Sequence, residues 1–276
     1  MQPVIRLAAE ADAAAIVAVI RQGFDPDLLA RTIYGCRRVE HFVAGQIGAY
    51  SIGGETSFTV AVDPQGIVPQ GIHPPDIVGC AELRSIHDGL FLNYISVAPG
   101  RRGRGVAARL LAGAIEAARQ PGQRQLHLDV LAHNESARAW YERLGCQRVS
   151  ESAWWQWELQ SGDHAPATIG SWPQAEACQQ AFGFSQFVLR TEQACYTVGR
   201  LGDALFRITD VNATLDPRVS AALNKIDASR QVLAVLPQGA LPVELARRAE
   251  LIAVHVRMTG SLDVILHRLS HAEARP

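Results

Sequence analysis

Val4-Ile5-Arg6-Leu7 reads as a short strand, and Ile16, Val17, Val19 and Ile20 then recur at helical spacing over residues 12–22 until Gly23 stops the run. Residues 27–50 continue helically with predicted interruptions at Gly35 and Gly45, after which Ser57-Phe58-Thr59-Val60-Ala61-Val62 opens a β-rich stretch. Four prolines (Pro64, Pro69, Pro74, Pro75) make residues 63–76 unsuitable for either element, and predict a long hairpin loop. Strands over 77–84 and 90–97, joined by His87-Asp88-Gly89, complete an antiparallel meander. Beyond Pro99-Gly100, residues 103–119 place Val106, Leu110, Leu111, Ala114, Ile115 and Ala118 on one face of a helix about 25 Å long, closed by Pro121-Gly122. Leu126, Leu128 and Val130 alternate with polar neighbours as a strand over 125–131; residues 134–144 are helical, and 146–159 are extended and carry Trp154, Trp155 and Trp157.

A polar break, Ser161-Gly162-Asp163-His164-Ala165-Pro166, separates this first unit, residues 1–160, from a second over 167–276. The second unit has strand-like stretches at 184–189, 196–208 and 231–236, helices near 217–228 and 242–249, and an extended 251–258. Its roughly 100 residues are enough for a small α+β core. No repeat of fixed period is found. The 276 residues, 48% hydrophobic and 19% charged, exclude wholesale disorder, and a net charge of −1 gives no field for nucleic acid or anionic membrane. Cys36, Cys80, Cys146, Cys178 and Cys195 are scattered without a CxxC pair, which suits free thiols and neither a disulfide framework nor a metal site. No targeting segment or spanning run is seen, so a cytoplasmic, soluble protein is expected, with a homodimer left open.

The chemistry is concentrated where the strand ending in Val97 passes through Pro99-Gly100-Arg101-Arg102-Gly103-Arg104-Gly105 into an amphipathic helix. The first amides of a helix lack internal acceptors and carry the positive end of its dipole, while the glycines leave room for an anion and the arginines add charge. A Walker-type nucleotide loop is excluded, because Val106-Ala107 stands where Lys-Ser/Thr would have to be. The run 103–108 satisfies a dinucleotide GxGxxA pattern, with Asp129 at a workable distance for a ribose, but it follows an antiparallel meander and Asp129 lies inside its strand. An NAD(P)-binding Rossmann protein is therefore a weaker alternative.

Arg102-Gly103-Arg104-Gly105-Val106-Ala107 instead resembles the pyrophosphate loop, R/Q-x-x-G-x-G/A, of the GNAT superfamily of N-acetyltransferases, with Val97-Ala98-Pro99 as a typical lead-in. Residues 134–145 match that family's N-x-x-A-x-x-x-Y-x-x-x-G signature at Asn134, Ala137, Tyr141 and Gly145. The resemblance covers about residues 3–160. It implies an α/β fold with a mixed, mostly antiparallel central sheet flanked by helices, followed here by a smaller C-terminal α+β domain, whose element order hints at a degenerate half of the same fold.

The resemblance also implies an acyltransferase that moves an acetyl group from acetyl-CoA to a primary amine by direct transfer, without metal. Backbone at Ile95, Ser96 and Val97 would meet the pantetheine arm, and residues Arg102, Gly103, Arg104, Gly105, Val106 and Ala107 the pyrophosphate. Asn134 and Ala137 would lie near the cofactor, and Tyr141 would protonate the departing sulfur. Seven residues, about two helical turns, put Asn134 and Tyr141 on one face. Many relatives have a glutamate where this chain has Asn93, which cannot take a proton; Asn93 would orient water or substrate, with Glu82, His87 or Asp88 acting through water, or the amine would arrive neutral. That departure keeps open a non-catalytic acyl-CoA sensor or scaffold. Specificity is expected from the early helices, the loop 63–76 and the tryptophan strand, whose indoles would pack the junction of the two units or bind the acceptor.

Overall fold

The computed structural model describes residues 2–50, 53–64, 76–160, 164–165, 167–192 and 194–273. Most of the proline-rich loop and of the polar break lies outside the described residues. β1 (Val4–Leu7) leads through a 3-10 turn into α1 (Ala13–Gln22). α2 (Pro26–Leu29) starts where Pro26 needs no amide partner and the Asp25 carboxylate accepts from the Asp27 and Leu28 amides. A turn ending at Gly35 provides the first predicted interruption. The second does not occur: α3 (Val39–Tyr50) runs through Gly45. One helical glycine costs only about 1 kcal/mol, which the burial of Val39, Val43 and Ile47 outweighs.

β2 (Thr56–Val62), β3 (Ile77–Ile86) and β4 (Gly89–Val97) form the expected antiparallel meander. α4 (Val106–Ala118) begins three residues later than predicted, because a 3-10 turn and a glycine loop occupy 99–105; its 13 residues span about 20 Å. β5 (Gln125–Leu131), α5 (Glu135–Arg143) and β6 (Gln147–Glu158) follow as expected. Beyond them come β7 (Thr168–Gly170), α6 (Trp172–Phe182), β8 (Phe184–Arg190), β9 (Cys195–Leu201) and β10 (Leu205–Ile208). The strand predicted over 196–208 is thus two, turned at Gly202. α7 (Val211–Leu215), α8 (Pro217–Ile226), β11 (Gln231–Pro237), α9 (Val243–Ala246), β12 (Glu250–Ser261) and α10 (Leu262–Glu273) complete the described chain.

The twelve strands of the described residues share one sheet, in the order β1-β2-β3-β4-β5-β12-β6-β11-β10-β9-β8-β7. The two ends mirror one another, since each has one parallel pair, β4 with β5 and β10 with β11. At the centre the last strand of each half has changed sides: β12 pairs with β5, β6 pairs with β11, and the two exchanged strands pair with each other. Hence Val256 and Met258 of β12, with Leu262 and Ile265 of α10, are fully buried in the core that β4 and β5 share with α4 and α5. Such burial is worth about 1.5–3 kcal/mol per side chain. A second core lies under α1 and α3, and a third holds β8 to β11 with α8. All five cysteines are free. Among the described residues no helix is long and apolar enough to cross a membrane.

Candidate active site

The sheet opens between β4 and β5. β4 and β5 pair in parallel only from Gly89↔Gln125 to Leu92↔Leu128, after which they part. The cause is visible on the other edge of β4, where Glu82 faces Tyr94 and Leu83 faces Leu92, so that Asn93 is an extra, bulged residue. A bulge bends its strand and re-aims its side chain. Asn93, Tyr94, Ile95 and Val97 consequently border a cleft of about 980 Å³ where the pairing with β5 has ended.

At the end of β4 the cleft meets the start of α4. Gly105, the residue before the helix, has φ +74° and Gly103 has φ +72°, a region costly for any residue with a Cβ. Apart from the adjoining residues, no heavy atom of the described residues lies within 4 Å of where a Cβ would stand at either position. No side chain caps α4, so the amides opening it are free of internal acceptors and face the cleft with the positive end of the helix dipole. Arg102 donates from Nε to the Val97 carbonyl at 2.9 Å, tying the loop to the strand, and Arg101 is held by Asp63. Free amides at the positive end of a helix dipole are an arrangement that suits an anion.

Opposite stands α5. The Asn134 side chain accepts from the Ala137 amide at 3.1 Å and caps the helix, while still lining the cleft. Tyr141 lies on the same side, 6% exposed, with its ring 4.9 Å from that of Trp140. Burial, with Cys146 nearby, pushes the Tyr141 hydroxyl well above the ordinary phenol value, so it keeps its proton at any neutral pH. At the bulge, Asn93 donates from Nδ2 to Glu82 Oε1 at 2.8 Å. That carboxylate, 3% exposed, also accepts from the Tyr34 hydroxyl at 2.7 Å and from Arg84 at 2.9 Å. Glu82 is therefore a fixed anchor beneath Asn93, and the Asn93 side-chain oxygen is turned away from it.

Of the residues singled out in the sequence, Asn93, Ile95, Val97, Arg102, Gly103, Gly105, Val106, Ala107, Asn134, Ala137 and Tyr141 line this cleft together. Ser96 and Arg104 do not; the Ser96 hydroxyl is buried and donates to the Val19 carbonyl at 2.9 Å. His87 and Asp88 sit in the turn before β4, about 16 Å along the strand from Asn93. Asp129 is bound by Arg257 within the sheet, at 2.8 Å for Oδ2, which removes it as a ribose ligand. The tryptophans divide: Trp155 and Trp157 pack into the core of the second half, and Trp154 faces the cleft.

Two contributors escaped the pattern. His255 of β12 stacks on Trp154 with ring centroids 4.7 Å apart, and Arg207 of β10 enters from the second half. Both are polar positions in alternating strands, a signal that does not distinguish solvent from a cleft. Burial pulls His255 down to about 4, with Asp129 opposing and His133 adding to the shift. In the second half β10 stops at Ile208, and the two helices that follow are capped by Asp210 and Asp216. Carboxylates there occupy what the first half leaves open.

A profile described as the acetyltransferase (GNAT) family matches residues 40–146. The uncharacterized N-acetyltransferase YycN of Bacillus subtilis (strain 168) is 34% identical over 99 residues, covering 30% of this chain and 64% of the relative. The chain thus spans less than two thirds of that relative's length. Among solved structures, an unconfirmed acetyltransferase from Pyrococcus horikoshii superposes with a TM-score of 0.61 at 12% identity, over 96% of this chain and 91% of the other. A tandem GNAT protein from the clavulanic acid biosynthesis pathway gives 0.58 at 15%, over 94% and 98%. A GCN5-related N-acetyltransferase from Sphaerobacter thermophilus gives 0.58 at 14%, over 94% and 95%. Residues 40–146 thus match the GNAT acetyltransferase family, and the sheet follows the tandem GNAT fold nearly end to end, with a second GNAT-like half behind the first.

Proposed function

We propose that the protein moves the acetyl group of acetyl-CoA directly onto a primary amine. The observation that carries this reading is one corner: the uncapped amides of α4 and the unpaired edge of β4 face the same cleft as Tyr141. Acetyl-CoA supplies an acetyl group activated as a thioester. Residues 102–107 hold its diphosphate, and backbone at Ile95 and Val97 pairs with its arm as a missing strand would. Asn134 and Ala137 border it from α5. Asn93, fixed by Glu82, offers its side-chain oxygen to an amine N–H and so orients the nitrogen toward the carbonyl carbon.

As the N–C bond forms and the C–S bond breaks, Tyr141 gives its proton to the departing sulfur. The amine loses one proton in return. The carboxylates lining the cleft are engaged, Asp25 by the amides of α2 and Asp129 by Arg257, which leaves the imidazole of His133 and the water of the cleft to receive it. In this reading residues 1–160 bring the acetyl donor, and residues 167–276 wall the acceptor side without binding a cofactor of their own. Calorimetry with CoA and thiol release across an amine panel test the reading together. Micromolar CoA binding with turnover supports it; CoA binding with no turnover on any amine would replace it by a sensor or scaffold.

A further inference from the structure

Beyond Asn93 and Tyr94 the cleft continues into a second chamber of about 740 Å³, within the range for small-molecule sites. Its walls come from both halves: α3 and the segment after α2 on one side, α6, β8, β9 and β10 on the other. Three arginines line it, Arg31, Arg84 and Arg207, and no aspartate or glutamate does among the described residues. Two of the three are already held. Arg84 is bound by Glu82 at 2.9 Å, and Arg31 donates to the Gln156 side chain at 2.7 Å and to the Asp27 carbonyl at 2.6 Å. Arg207 has no hydrogen-bond or ion-pair partner among the described residues, though it is largely enclosed and lines both the chamber and the donor cleft. Burial, with Arg84 nearby, pulls it below the ordinary guanidinium value, against the opposing pull of Tyr94. An enclosed guanidinium without a counter-charge is costly, and is stabilised by a bidentate anion.

We infer that the acceptor is an amino acid, its carboxylate gripped by Arg207 of the second half while its amine lies against Asn93 of the first. The inference rests on the proposed function and names its substrate class. Phe42, Phe182 and Phe184, with ring centroids 5.0–6.0 Å apart and Phe42 edge to face with the other two, give the same chamber an apolar wall for the acceptor's body. The second half, on this view, is a specificity element that supplies the unengaged guanidinium, whereas Arg31 and Arg84 of the first half are held by other groups.

The test compares matched probes: L-phenylalanine, L-leucine and L-methionine, their amides, and their decarboxylated amines, together with the N-acetyl acids and N-acetyl amides as product analogues. Thiol release should favour the acids at least tenfold in kcat/KM over the amides. Arg207→Met should erase that preference through KM, leave the KM for acetyl-CoA unchanged, and be partly reversed in Arg207→Lys. Binding of the N-acetyl pairs, read by fluorescence of Trp154 at the chamber wall, should show the same ratio and the same loss, with melting temperature confirming that the variants fold. Equal binding of acid and amide, or a preference that survives Arg207→Met, would overturn the inference. The binding arm needs no turnover, so a silent transfer assay with CoA calorimetry intact counts against the proposed function alone, while the acid-to-amide ratio still decides the acceptor class.

Discussion

Replacing His255 by phenylalanine should make the protein markedly less sensitive to mild acid. His255 lies on the exchanged strand β12, its ring 27° from coplanar with Trp154 and its Nδ1 buried without a hydrogen-bond partner. Charging that ring in place is unfavourable, which is why its folded pKa falls to about 4 while the unfolded chain keeps the ordinary value of about 6.5. The unfolded chain takes up the proton first as the pH drops. The contribution of neutral His255 to stability is therefore complete above about pH 6.5 and disappears as the pH falls toward 4. At 1.36 kcal/mol per pH unit the loss reaches about 3 kcal/mol at most, and about 2 with cleft water easing the charge. Urea unfolding at about pH 7 and about pH 4.5, run on the wild type and on His255→Phe, isolates the effect, because other acid-sensitive groups cancel in the difference. Phenylalanine keeps the stack on Trp154 and carries no proton. If both proteins lose the same stability between the two conditions, the ring is not held neutral by its surroundings and the reasoning fails.

Tyr141→Phe should lower kcat by about 10²–10³ in the thiol-release assay, with the calorimetric Kd for CoA changed less than threefold; unchanged turnover would remove the hydroxyl from the chemistry. Gly105→Ala places a side chain at φ +74°, which should cost about 1–2 kcal/mol in urea unfolding and weaken CoA binding about tenfold. Glu82→Gln leaves Tyr34, Arg84 and Asn93 without their shared anion; a stability loss of about 3 kcal/mol and a fall in kcat are expected, and normal values of both would show that Asn93 needs no anchor. Met258→Ala, at a fully buried position, should cost about 2–5 kcal/mol, and CoA binding should be lost at the same urea concentration as the global fluorescence signal.

The first half was largely legible from local patterns. Alternation marked β2 to β6, periodic Val106, Leu110, Leu111 and Ile115 marked α4, and two spaced signatures marked the faces of the cleft. The bulge at Asn93 was not legible, because one extra residue in β4 is defined only by its partner strand. α6 was missed because it buries only Ala175 and carries Pro173 in its first turn. α10 does carry Leu262, Ile265, Leu266 and Leu269 at helical spacing, a signal that was there to be read. The exchange of β6 and β12 depends on pairing between residues about a hundred positions apart, such as Arg257 with Ser150, which no local window reports. Arg207 and His255 acquire their meaning only from that arrangement.

Because β12 closes the core beside β5, the first half has to wait for β12. The ribosome finishes β6 about 90 residues before it begins β12, on the order of 5–20 s at ordinary elongation rates. Throughout that interval the nascent chain shows an unpaired edge at β5 and the bare underside of α4, the kind of surface chaperones bind. Neither half is therefore expected to mature alone, and the donor corner and the acceptor wall are completed in the same final step of folding.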